Sequence, residues 1–154
     1  MYTCRGRSAA TAATADHAIA QLWNPASTQR IKVIQFGVFK GGAGAANDAF
    51  RLRRSTARGT AGSTVTPNIE AHSERAVAPV SGALIDLAAF SVQPTLAAGE
   101  LGPEFMAAAF AAAGTIYAIP GGIVIPPGTG LVIAQIAATA WPLSSISWSW
   151  LEDW

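Results

Sequence analysis

Charge is what this sequence has least of. Only 12% of its 154 residues are Asp, Glu, Lys or Arg, about half of the roughly 25% usual in soluble domains. Hydrophobic residues reach 51%, which excludes a chain disordered throughout, because such chains pair low hydrophobicity with high net charge. One cysteine, Cys4, excludes an intrachain disulfide and a cysteine-based zinc site. Two histidines, His17 and His72, make no His-x-x-x-His pair, so metal chemistry has almost no material. The most apolar stretch, Phe105 to Ile125, is interrupted by Gly114 and by Pro120-Gly121-Gly122. It falls short of the ~20 unbroken apolar residues of a membrane helix. Met1 to Asp16 lacks the apolar run of a secretory signal.

What is present fits one domain, and at this length a core can form without disulfide or metal. Alanine supplies 33 residues, so the hydrophobic percentage overstates the bulky core. The net charge of +1 conceals a polarity along the chain. All ten basic residues lie between Arg5 and Arg75 with four acids, a net of +6. From Ala76 onward there are five acids and no Lys or Arg, a net of −5. If the two halves form separate faces, copies can attract one another or steer onto a charged lattice. If strands of both halves interleave, the asymmetry cancels.

Residues 1–16 are small and threonine-rich without amphipathic period, and read as an extended arm that orders against a neighbour. Residues 17–154 then form the domain. His17 to Trp23 is a short apolar run closed by Asn24-Pro25. Ile31 to Lys40 and Asp48 to Ser55 alternate with period two, and Gly41-Gly42-Ala43-Gly44 between them suggests a hairpin from Ile31 to Ser55. Further short runs follow: Thr64 to Thr66, Ala83 to Val92, Gly114 to Ile119, Ile123 to Ile125, Leu131 to Ala138 and Leu143 to Leu151. Turn residues separate them at the spacing of an antiparallel β-sandwich or barrel. Pro103 to Ala113 suits either one short helix, started by Pro103 and Glu104, or a strand. In Trp141 to Trp150, Ile146, Trp148 and Trp150 share one face and Ser145, Ser147 and Ser149 the other. Such tryptophans belong to a core rather than to a sugar-stacking platform.

Catalytic constellations are missing. No Gly-x-Ser-x-Gly occurs, and the one compact polar cluster, Glu70-Ala71-His72-Ser73-Glu74, reads as an exposed loop. Gly41-Gly42-Ala43-Gly44 lacks the Gly-Lys-Ser/Thr ending of a phosphate loop, and Lys40 precedes the glycines. The sequence therefore points away from an enzyme and implies no cofactor. Arg51, Arg53, Arg54 and Arg58 form the densest basic patch. It reads as a solvated sheet face or as a contact for an acidic protein. Nucleic acid fits less well, because no aromatics interleave with the arginines and the pI is near 8.0. With Arg5 and Arg7, these residues are the candidate partner contacts.

Leu22-Trp23-Asn24-Pro25, Arg53-Arg54-Ser55-Thr56 and Gly59-Thr60-Ala61-Gly62-Ser63-Thr64-Val65-Thr66-Pro67 resemble segments of small virion proteins of tailed bacteriophages. So do Ile125-Pro126-Pro127-Gly128-Thr129-Gly130-Leu131 and Trp148-Ser149-Trp150-Leu151-Glu152. The likeness is a pattern of turns and strands and carries no catalytic residue. It implies an all-β antiparallel sandwich, jelly-roll-like, acting as an accessory protein of the head or tail. Such a protein would decorate or cement a capsid on the phage head, touching the major capsid protein and other copies of itself as a dimer or trimer. The alternative it leaves open is a tail- or fibre-associated module that recognises a host glycan, with exposed tryptophans as its mark.

Overall fold

Alternating apolar residues bounded by turn residues form strands throughout a computed structural model, which describes residues 1–25, 29–42, 48–65, 81–99, 105–107 and 114–152. The strands are β1 (Tyr2–Ser8), β2 (Ala18–Asn24), β3 (Ile31–Lys40), β4 (Asp48–Ala57), β5 (Ser63–Val65) and β6 (Leu84–Leu87). They continue with β7 (Thr95–Leu96), β8 (Phe105–Ala107), β9 (Gly114–Ile125), β10 (Thr129–Gln135) and β11 (Ser144–Glu152). Two antiparallel sheets result. The first has the order β1-β11-β3-β9, and the second β5-β6-β2-β10-β4-β7 with β8 also on β4. The chain passes from one sheet to the other at β1–β2, β2–β3, β3–β4, β8–β9, β9–β10 and β10–β11. Together with the pairing of first strand on last, this is the winding of a jelly roll, a sandwich made of two Greek keys.

The inner faces meet in one core. Ile146, Trp148 and Trp150 of β11 and Val33, Phe36 and Val38 of β3 come from the first sheet. Leu22, Leu52, Ile85, Leu131 and Ile133 come from the second. Trp141, Trp148 and Trp150 are at most 1% exposed, in agreement with their reading as core residues. Burying each contributes several kcal/mol, at ~25 cal/mol per Å² over 150–250 Å².

Three expectations change, and one open alternative is resolved. The hairpin from Ile31 to Ser55 does not form, because β3 and β4 lie in opposite sheets. Phe36 and Phe50 meet edge to face across the core, with ring centroids 6.1 Å apart. Pairing the two strands side by side would forfeit that contact between layers. Residues 43–47, with Ala43 and Gly44 of the glycine run, lie outside the described residues.

The N-terminal arm is likewise part of the sandwich. Tyr2–Ser8 pairs with β11 over seven residues, which buries Tyr2 and Cys4, and Tyr2 stacks on Trp150 at 5.8 Å. Beyond it, the Thr11 N–H donates to the Trp141 carbonyl at 3.0 Å and the Asp16 N–H to the Gln135 carbonyl at 3.0 Å. The buried Gln135 Nε2 faces the carbonyls of Ala12, Thr14, Ala137 and Thr139 at 2.6–3.3 Å. The segment therefore orders on its own chain.

Pro120-Gly121-Gly122 does not end a strand. β9 runs on through a bulge between the Gln35–Ala118 and Val33–Ile123 pairs, and Gly121 and Gly122 take φ of +78° and +71°. Finally, Phe105–Ala107 is strand, not helix: Phe105 packs within 5.4 Å of both Phe36 and Phe50, and tertiary packing outweighs alanine's helix preference. The rest of Pro103 to Ala113 lies outside the described residues.

Candidate interaction surface

The arginine-rich stretch around β4 is divided among three places. Strand parity turns Arg51 and Arg53 to the outer face of the second sheet, and Arg54 to the inner face beside Leu52. Arg51 pairs with Asp16, and Arg53 Nη1 lies 3.6 Å from the same carboxylate. Arg53 Nη2 donates to the Ala97 carbonyl at 2.7 Å. At the rim of the sandwich, Arg54 Nη1 crosses to the Val124 carbonyl of the other sheet at 2.6 Å. Arg58 donates from Nε and Nη2 to the two oxygens of Asp86, both at 2.7 Å, and Thr64 Oγ1 donates to the same carboxylate at 2.7 Å. Asp86 is fully buried, and its hydrogen bonds raise the Arg58 pKa above its ordinary value. These four residues thus have intrachain partners and do not gather into an open cationic surface.

That outer face is also covered. Phe90, Ala88, Ala61 and Leu96 pack on Ala18, Val132 and Ala134 in a small second cluster. The two covering segments join where the Thr60 N–H donates to the Val92 carbonyl at 2.9 Å and the Ser91 N–H to the Thr60 carbonyl at 2.9 Å. Gly59 permits the approach, since a Cβ there would lie 2.4 Å from the Val92 carbonyl oxygen.

The outer face of the first sheet is different. Register sets it out in three rows: Thr3-Ser149-Gln35-Ala118, Arg5-Ser147-Gly37-Ile116 and Arg7-Ser145-Phe39-Gly114. No acid stands in these rows. Arg5 and Arg7 are exposed, and among the described residues no ion pair joins either. A Cβ on Gly114 would strike the Phe39 ring, and one on Gly37 would lie 2.8 Å from it. The two glycines thus let Phe39 lie flat across the strands. Arg5, Arg7, Phe39, Ser145 and Ser147 line an open groove of about 450 Å³, with Ile116, half exposed, farther along the face. The face therefore offers two guanidiniums, the exposed Ser145 hydroxyl and an apolar strip, with Ser147 and Ser149 buried beneath.

Sequence reasoning gave most weight to the dense arginines and placed Arg5 and Arg7, also candidate contacts, on an extended arm rather than on a sheet face. The missed signal was alternation in Tyr2-Thr3-Cys4-Arg5-Gly6-Arg7, with Tyr2 and Cys4 on one side. Asp16, Asp86 and Gln135, which hold the other arginines and the N-terminal segment, had no local signature. His17 is half-buried, while the cluster around His72 lies outside the described residues. Among the described residues no three His, Cys, Asp or Glu side chains converge, and no helix is long and apolar enough to cross a membrane.

Fold and surface together define an antiparallel β-sandwich with one outer sheet face covered by its own loops and the other open and basic. Comparison with protein-family models, curated proteins and solved structures finds no match to this chain.

Proposed function

We propose that this chain is a structural virion protein of a tailed bacteriophage, a capsid decoration or cement protein that stabilises the head by bridging neighbouring capsid subunits. The observation that carries the reading is the exposed, acid-free outer face of the first sheet, set against an opposite face closed by the chain itself. Its three rows on four strands cover about 400 Å² at strand spacings of ~4.8 Å and row spacings of ~6.8 Å. That is half of the roughly 800 Å² per partner of a stable pairwise interface. Such a face holds weakly alone and strongly when repeated, as on a capsid lattice or in a dimer or trimer of this chain. Adhesion then resides in side chains of β1, because residues 1–16 pack on their own domain. The alternative of host-glycan recognition draws no support from Trp141, Trp148 and Trp150, all buried.

The test is to dissociate virions and locate the protein by immunogold labelling. The proposal expects it on heads, with Arg5→Glu/Arg7→Glu lowering both occupancy and the heat resistance of heads. Label confined to tails, or absent from particles, overturns it.

A further inference from the structure

We infer that the groove between Arg5 and Arg7 receives an extended acidic protein segment with carboxylates two residues apart. The inference rests on reading the first sheet's outer face as the adhesive one, and it names the chemistry of the partner. Arg5 and Arg7 alternate on one strand, so their Cα atoms lie about 6.8 Å apart on the same side. An extended chain with Glu or Asp at alternate positions repeats at the same interval, so both guanidiniums can meet a carboxylate at once. Each Arg–carboxylate pair can be bidentate. The exposed Ser145, lining the same groove, supplies a hydroxyl to the segment's backbone, and the Phe39 ring takes an apolar side chain beside it.

Other occupants fit worse. A second copy with its twofold axis through this groove would set Arg5 and Arg7 against their own counterparts, with no acid in the rows to answer them. Nucleic acid is held chiefly by neutralising many phosphates at once, and the groove offers two cations and one aromatic ring. A competing account gives Arg5 and Arg7 a protective role, since charged residues on an edge strand discourage pairing with another sheet. β1 is such a strand, so the experiment must separate the two.

The probe is a synthetic peptide, acetyl-Glu-Thr-Glu-Phe-Gly-amide, titrated to millimolar concentration into ¹⁵N-labelled full-length protein, with amide shifts followed. Its Gln-Thr-Gln-Phe-Gly counterpart, an oligogalacturonate and a single-stranded oligonucleotide are compared. The expected result is saturable shifts on β1, β11 and β3 with the Glu peptide, at least about tenfold weaker binding of the Gln peptide, and weakening as salt screens the exposed pairs. Arg5→Gln/Arg7→Gln should lose binding while keeping a dispersed spectrum and an unchanged urea midpoint, and Phe39→Ala should bind several-fold more weakly. Equal binding of the Glu and Gln peptides, tighter binding of the glycan or oligonucleotide, or no shifts at millimolar peptide overturns the inference. So does an Arg5→Gln/Arg7→Gln variant that self-associates yet binds the peptide normally, which would leave only the protective role. Peptide binding by a protein absent from heads would sink the cement reading and spare this one. Head location without peptide binding would do the reverse.

Discussion

The outer faces of the two sheets carry the same residue type to opposite ends. On the second sheet, Arg51, Arg53 and Arg58 lie beneath or beside covering segments and are matched to Asp16, Asp86 or a backbone carbonyl. On the first, Arg5 and Arg7 stand over serine, glycine and Phe39 with no such partner among the described residues. The comparison teaches that arginine density along a chain says little about basic surface. Local concentration around β4 is spent on holding loops down, whereas two arginines near the N-terminus remain to meet something else.

Breaking the covered face should give the largest effect. Arg58→Ala leaves Asp86 buried with only Thr64 as a side-chain donor, and should destabilise the fold by about 3–4 kcal/mol, read as the urea midpoint. A loss under about 1 kcal/mol would mean that water replaces the guanidinium and that the cover is loose. Phe90→Ala removes the largest side chain of the satellite cluster and should cost about 2–3 kcal/mol. Hydrogen exchange should then quicken in residues 58–62 and 88–97 before it does in β11.

The edge of the first sheet supplies a pH test. Burial pushes the Cys4 thiol above its ordinary value near 9.0, partly offset by backbone hydrogen bonding from Arg5. The folded state therefore favours the neutral thiol. Its stabilisation is complete below the unfolded thiol's pKa and is lost as pH rises through and beyond it. Stability should fall above about pH 9, and Cys4→Ala should show a shallower fall. An unaltered alkaline limb would place the thiol in contact with water. Smallest of all, Arg5→Ala and Arg7→Ala should each change stability by no more than about 0.5 kcal/mol, as exposed residues without partners do. A larger loss would show that they support β1 and would erase the contrast with Arg58.

Much of the strand content was legible from alternation: β2, β3, β4, β10 and β11 fall close to the runs read from sequence, with the tryptophans of β11 inward. Pairing was not. The sheet of a strand depends on which apolar side chains meet across the core, and Phe36 meeting Phe50 has no signature in either segment. The turn read at Pro120-Gly121-Gly122 is a bulge because β3 continues alongside it, a partner that local glycine and proline preferences do not reveal. Of the surface, arginine positions were legible, but their availability was not. Availability was set by Asp16, Asp86 and the Ala97 carbonyl, which are remote in sequence.

By itself the sequence determined an all-β chain with a tryptophan-lined interior, one cysteine and two histidines, because period-two patterning and residue inventory are local properties. Tertiary structure alone decided that residues 1–16 belong to the sandwich, that β3 and β4 part company, and that Arg5 and Arg7 face outward with no ion pair among the described residues. Those outcomes depend on contacts between residues far apart in the chain: Tyr2 on Trp150, Phe36 on Phe50, Arg51 on Asp16. Such contacts form only when the whole core closes.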